Sequence, residues 1–216
     1  MLDKGKLPPY KHLKIDVLPY NKAIYVDTSF IVSALLMPDA SRIEELEKKV
    51  GRLTPEELKE LTQLRMLRWR HEASVDFVER LVKDDMCIFF SSMLFQEMYF
   101  VLKFNELDKA YQNKEISKHK VKQDPKVITP HISNILQNWE LFLALLNKFK
   151  ETYPILPSEK KIIGETLRVR TEYCLKPNDS LHLGTVLAGP IEDIVVYDRD
   201  FREAALKEGL NVWYKI

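Results

Sequence analysis

Cysteine is scarce in this 216-residue chain. Cys87 and Cys174 stand far apart with no Cys-x-x-Cys spacing, which excludes a zinc or thiol-redox motif and is compatible with a reducing cytoplasm. Cys87 opens an apolar, strand-like run and is expected as a buried free thiol. Net charge is nearly absent too, at +1. No global basic field announces a phosphate-coating protein, which leaves room only for a local basic patch. No apolar run reaches the ~18 residues a membrane helix needs. The first ten residues lack the apolar core of a signal peptide, so a cytoplasmic protein without a membrane partner is expected. There is no internal repeat and no low-complexity tract.

What is present suits one good-sized domain carrying insertions: 45% of residues are hydrophobic and 30% charged. Residues 1–22, with Pro8-Pro9 and Pro19, read as an N-terminal arm, and residues 23–216 as the domain. Ile24-Tyr25-Val26 is the first strand, with an apolar helix from Phe30 behind it. Residues 40–83 read as helical, and Thr54-Pro55-Glu56-Glu57 combines an N-cap, a first-turn proline and a capping-box glutamate. Cys87–Phe90 is a second strand, followed by a helix with Phe95, Met98, Tyr99 and Leu102 as its apolar face. Residues 130–151 form an amphipathic helix through Ile132, Ile135, Leu136, Trp139, Phe142, Leu143, Leu146 and Phe149. Tyr153-Pro154-Ile155-Leu156 is a strand that its proline places at an edge. Ser158-Glu159 opens a helix to about Tyr173, and Asn178 caps the next one. Ile194–Tyr197 and Asn211–Tyr214 are the last strands, with a helix between them that Gly209 ends. Strands alternating with helices predict an α/β fold in three layers, α/β/α, with a central, mainly parallel five-stranded sheet. Residues at about 38–70 and 105–128 are helical or basic insertions.

Four carboxylates take positions that such a sheet would unite. Asp27 ends the first strand and Asp198 the fourth, so both leave a parallel sheet at its ligand-binding edge. Asp179 opens a helix at that edge, and Glu97 sits within a greasy helix where an unpaired charge requires a partner. Gathered together, four carboxylates repel one another, and a hard divalent cation such as Mg²⁺ or Mn²⁺ relieves this. No His/Cys cluster competes for a softer metal. Such a site suits hydrolysis of phosphodiesters. Each acid also has a plainer reading: Asp27 as a helix cap, Asp179 and Asp200 as helix-dipole charges, Glu97 as half of an ion pair. His182 reads as packed or hydrogen-bonded within the fold, since hydrolysis of this kind needs no histidine base.

Val26-Asp27-Thr28-Ser29 after a strand, Ser91 to Glu97 before an apolar helix, Asn178-Asp179-Ser180-Leu181-His182-Leu183, and Asp198-Arg199-Asp200-Phe201 after Ile194–Tyr197 resemble, in that order, the PIN-domain nucleases. The resemblance covers residues 24–214. It implies a PIN-like α/β/α fold and metal-dependent cleavage of RNA, with Asp27, Glu97, Asp179 and Asp198 as catalytic and metal-binding residues. It also implies support of Asp27 by Ser29, and an outer contact or a helix cap from Asp200. Many bacterial and archaeal members are VapC-like toxins held by an antitoxin protein, and many such domains pair as homodimers. Val196 stands where the family commonly carries threonine or serine, so a hydroxyl that orients ligands or water is absent there. Gly184 replaces a common alanine. The long insertions leave two rival readings: a catalytically weak scaffold or RNA-binding module, and a DNA nuclease whose 40–83 segment arches over flaps or ends. Arg65, Arg68 and Arg70 on the long helix, and Lys118, Lys120 and Lys122 in the most basic stretch, are weak candidates for RNA contact against the simpler reading of solvated surface.

Overall fold

The computed structural model describes residues 11–12, 23–111, 124–149, 151–155, 160–189 and 191–214. Strands are β1 Lys11–His12, β2 Ala23–Val26, β3 Cys87–Ser91, β4 Glu151–Ile155, β5 Asp193–Val195 and β6 Asn211–Tyr214. Helices are α1 Thr28–Leu35, α2 Ala40–Lys48, α3 Pro55–Lys83, α4 Met93–Tyr111, α5 Pro125–Ile128, α6 Ile132–Leu146, α7 Lys160–Tyr173, α8 Pro177–Ala188 and α9 Arg199–Lys207, with a 3₁₀ turn at Thr129–His131. The chain is a three-layer α/β/α fold, and every strand pairing is parallel.

Strand order is β1-β6-β5-β2-β3-β4. The five longer strands are those expected. The sixth, Lys11–His12, comes from the segment read as an arm and pairs with Trp213 and Tyr214. The chain builds outward from β2 through β3 to β4, then returns to lay β5 on the other side of β2. The order therefore reverses between β2 and β5, the crevice where open parallel sheets bind ligands. Tyr25 is level with Ile194 and Val26 with Val195, and the Asp27 N–H continues the ladder to the Val195 carbonyl at 3.2 Å. Residues following β2 and β5 thus emerge side by side. β4 occupies the edge that Pro154 requires.

Local chemistry explains the helix starts. The side chains of Asp27, Asp39 and Asp198 cap α1, α2 and α9, and Thr54 with Glu57 forms a complete capping box at α3. α3 serves two cores. Its later turns place Phe77, Val78 and Leu81 in the main core, while Leu61 joins Ile43 and Leu46 in a small separate cluster beneath α2. Fully burying such side chains contributes about 1.5–3 kcal/mol each. The segment around 38–70 is therefore a helical hairpin with its own apolar contacts, braced by Arg42 on Glu60 at 2.8 Å through two nitrogens.

Several boundaries differ from expectation. Asp198 lies three residues beyond β5, because Val196 still bonds the Trp213 carbonyl but the ladder ends there. α8 begins at Pro177 with Lys176 in the cap position, so Asn178 is not the cap and its amide works elsewhere. α4 buries Leu94, Met98 and Leu102, whereas Tyr99 is exposed. α6 runs only from Ile132 to Leu146 and exposes Ile132, Leu136 and Leu143, because Ile135, Phe142, Leu145 and Leu146, with Trp139 partly buried, are the residues that meet the core. Cys87 is half-buried rather than buried. Ser158 and Glu159 lie outside the described residues.

Candidate functional site

Asp27 follows β2 directly and is almost fully buried. Its Oδ2 accepts from the Ser29 N–H at 3.0 Å and the Ser29 hydroxyl at 2.5 Å. The Ser29 Oγ in turn accepts the Tyr197 N–H at 3.0 Å, tying the start of α1 to the segment after β5. Ser29 therefore does more than support Asp27: it closes the crevice between the two strands.

Glu97 reaches the same crevice from α4. Its Oε1 accepts from Asn178 Nδ2 at 2.7 Å, and its Oε2 accepts from the Thr28 hydroxyl and faces His182 Nε2 at 2.9 Å. Burial alone would raise its pKa. The hydrogen bond and charge of His182, with the bonds from Thr28 and Asn178, outweigh burial and hold Glu97 below the ordinary glutamate value. His182 is buried, with Nδ1 at 2.6 Å from the Tyr25 hydroxyl, and that hydroxyl accepts the Ser91 N–H at 3.0 Å. The Glu97 carboxylate can only accept, so a neutral His182 carries its proton on Nε2, and Tyr25 Oη, accepting from Ser91, donates its own hydrogen to Nδ1. Burial opposes a charged imidazole, but the hydrogen bond to Glu97 and the charges of Asp27, Glu97 and Asp179 prevail and raise its pKa.

Asp179 occupies the first turn of α8, and Asp198 caps α9 by accepting the Asp200 and Phe201 N–H groups on Oδ1 at 3.0 and 3.1 Å. Burial, then the charge of Asp198, raises the Asp179 pKa to about 6, against a weaker pull from Lys176. The Asp179 Oδ2 is buried and has no hydrogen-bond partner among the described residues. Lys176 Nζ stands 4.0 Å from that oxygen and 3.8 Å from Asp198 Oδ2, but its side chain is 69% exposed. At that distance and exposure it screens the pair weakly and does not neutralise it.

All four acids line one cleft of about 600 Å³, with Asn178, His182, Arg70, Tyr197, Phe100 and Phe104 among the other lining residues. The donors are oxygens, and Asp179 supplies an orphaned buried oxygen with a raised pKa. Both features suit a hard divalent cation. Among the described residues, however, no three His, Cys, Asp or Glu groups already enclose a metal position. Glu97 faces three side-chain donors, and one oxygen each of Asp27 and Asp198 serves a helix start.

The other candidates separate clearly. Asp200 is exposed in the first turn of α9, outside the cleft lining, as its helix-charge reading predicts. Arg65 pairs with Glu47 at 2.8 Å and Arg68 with Glu72 at 3.0 Å, both on the surface. Arg70 alone of the three lines the cleft, with its guanidinium 5.4 Å from the Tyr197 ring centre. Lys118, Lys120 and Lys122 lie outside the described residues. Val196 is fully buried and brings nothing to the cleft. Gly184 has a definite cause: a Cβ there would stand 2.4 Å from Thr166 Oγ1 and 2.6 Å from Thr166 N, so α7 and α8 approach too closely for alanine. The sequence reading gave Thr28, Asn178, Tyr25 and Lys176 no role at the acids; two of these, Thr28 and Asn178, adjoin a named acid in the chain, which was the available signal. No helix among the described residues is long and apolar enough to cross a membrane. Comparison with protein-family models, curated proteins and solved structures found no match.

Proposed function

We propose that this chain is a PIN-like ribonuclease that uses Mg²⁺ or Mn²⁺ to hydrolyse RNA phosphodiesters. The observation that carries the reading is the arrival of Asp27, Glu97, Asp179 and Asp198, from four separate elements, in one cleft where an Asp179 oxygen lies buried without a hydrogen-bond partner among the described residues. Asp27, Asp179 and Asp198 would hold the ion, with Glu97 beside them. Bound there, a divalent ion acidifies water and offsets charge developing on the phosphate. The chain's own residues supply position. Ser29 fixes Asp27, and the following turn fixes Asp198. Asn178, Thr28 and His182 aim Glu97.

Asp27→Asn and Asp198→Asn test this. Asparagine caps a helix as well as aspartate does, so both variants should fold. Cleavage of a single-stranded RNA in Mn²⁺ should fall at least about a hundredfold, more than the loss of an outer-shell contact causes. Unimpaired cleavage in both removes the assignment. A second reading, a scaffold or RNA-binding module without turnover, is favoured by the three donors that already saturate Glu97. Thermal melts in Mn²⁺ separate the two. A working ion site gains about 2.7 kcal/mol at a hundredfold excess over Kd, and a decayed one gains little.

A further inference from the structure

The cleft holds a second kind of chemistry that hydrolysis does not use. α4 points Glu97, Phe100, Val101 and Phe104 into it, at spacings of three, four and seven residues, so one helix face runs from the acid centre to a pair of aromatic rings. Seven residues of helix span about 10 Å. Leu94, Met98 and Leu102 fill the core from another face of α4, and Phe100 remains 42% exposed. The Phe100 and Phe104 rings lie within 20° of parallel, centres 6.2 Å apart, so they present an ordered apolar surface rather than two loose side chains. Arg70 adds a cation to the same cleft. Its guanidinium is placed over Tyr197, whose hydroxyl is held by Ser74 at 2.8 Å, and its Nε is buried with no hydrogen-bond partner among the described residues.

Two stacked aromatic rings, a guanidinium and a carboxylate centre in one cleft match a ligand with an aromatic face joined to a phosphodiester. We infer that Phe100 and Phe104 form a stacking platform for an unpaired nucleobase of an RNA strand whose phosphate meets Arg70. This deepens the ribonuclease reading and rests on it for the identity of the strand. It adds a selection rule: a base in a duplex has its faces covered, so the platform admits single strands only. Stacking of this kind accepts any base, because every base has a π face.

The test is binding in EDTA, where cleavage is silenced, followed by fluorescence anisotropy. The probes are a labelled uridine hexamer, the same hexamer with abasic riboses, and a duplex of the first. The wild type should bind the base-bearing strand about tenfold more tightly than the abasic strand, and more tightly than the duplex. Phe100→Ala combined with Phe104→Ala should abolish that preference while leaving abasic binding within about twofold, and Phe100→Trp should retain it. Arg70→Ala should weaken both strands alike. Equal binding of the two strands by the wild type, preference for the duplex, or a preference that survives the double alanine variant each overturns the platform. Base preference in a protein that cleaves nothing in Mn²⁺ keeps the platform and removes the ribonuclease. Equal cleavage of base-bearing and abasic strands does the reverse.

Discussion

Replacing Asp179 with asparagine should make the ion-free protein more stable. The carboxyl pKa stands at about 6 instead of 3.8, because burial and Asp198 both oppose its charge. At 1.36 kcal/mol per pKa unit, ionising it in the folded state costs about 3 kcal/mol relative to the unfolded chain. Its side chain keeps 18% exposure, and the aspartate also gains up to about 1 kcal/mol from the helix dipole. A net gain of about 1–2 kcal/mol for Asp179→Asn at pH 7.5 follows, or about 2–8 °C in Tm for a domain of this size. The sign with pH is definite. A folded pKa above the unfolded value means that the native state binds more protons. Its contribution to stability is therefore complete below about pH 4 and is lost as pH rises through about 6. Wild type and variant should converge in acid and separate near neutrality. Thermal melts of both proteins in EDTA at pH 4.5 and 7.5 decide it. A variant no more stable than wild type at pH 7.5, or a gap equal at both pH values, refutes the reasoning.

Gly184→Ala should destabilise by about 1–3 kcal/mol, read from urea unfolding, because Thr166 backbone atoms occupy the space of the new methyl; unchanged stability would show that the helices separate freely. Lys176→Met removes a weak competitor from Asp179 and Asp198, so Mn²⁺ titrated against Tm should act at concentrations about two- to fivefold lower. An unchanged midpoint would mean that solvent already screens this lysine fully.

The fold was legible because its signals are local. Ile24–Val26 and Ile194–Val195 are short runs of β-branched and aromatic residues buried on both faces, as interior parallel strands must be. Thr54-Pro55-Glu56-Glu57 writes a helix start into four residues, and the structure forms every bond of it. Tertiary competition set the rest. The apolar stripe of α6 was read as one face, yet nothing in a period of 3.6 says how wide the neighbouring core is. Of that stripe Ile135, Phe142, Leu146 and Phe149 entered it and Trp139 packs against it, while Ile132, Leu136 and Leu143 stayed exposed. β1 escaped notice because two residues carry no period at all.

The site divides along the same line. Asp27 and Asp198 are caps of α1 and α9, held by backbone N–H groups of the turns that follow them. Backbone geometry at the switch point therefore fixes both without regard to distant residues, and that is why position in the sequence sufficed to find them. Glu97 and Asp179 come from within helices, and their surroundings are assembled by other elements: His182 and Asn178 from α8, Thr28 from α1, Lys176 from the loop before α8. Those partners depend on where α4 and α8 cross the sheet, a matter decided by packing such as the approach of Gly184 to Thr166. The cleft thus combines two carboxylates fixed by the fold and two set by side-chain contacts. Repulsion among the acids can therefore be relieved by turning Glu97 and Asp179 toward donors and shelter, but not by moving a cap, which would unwind its helix.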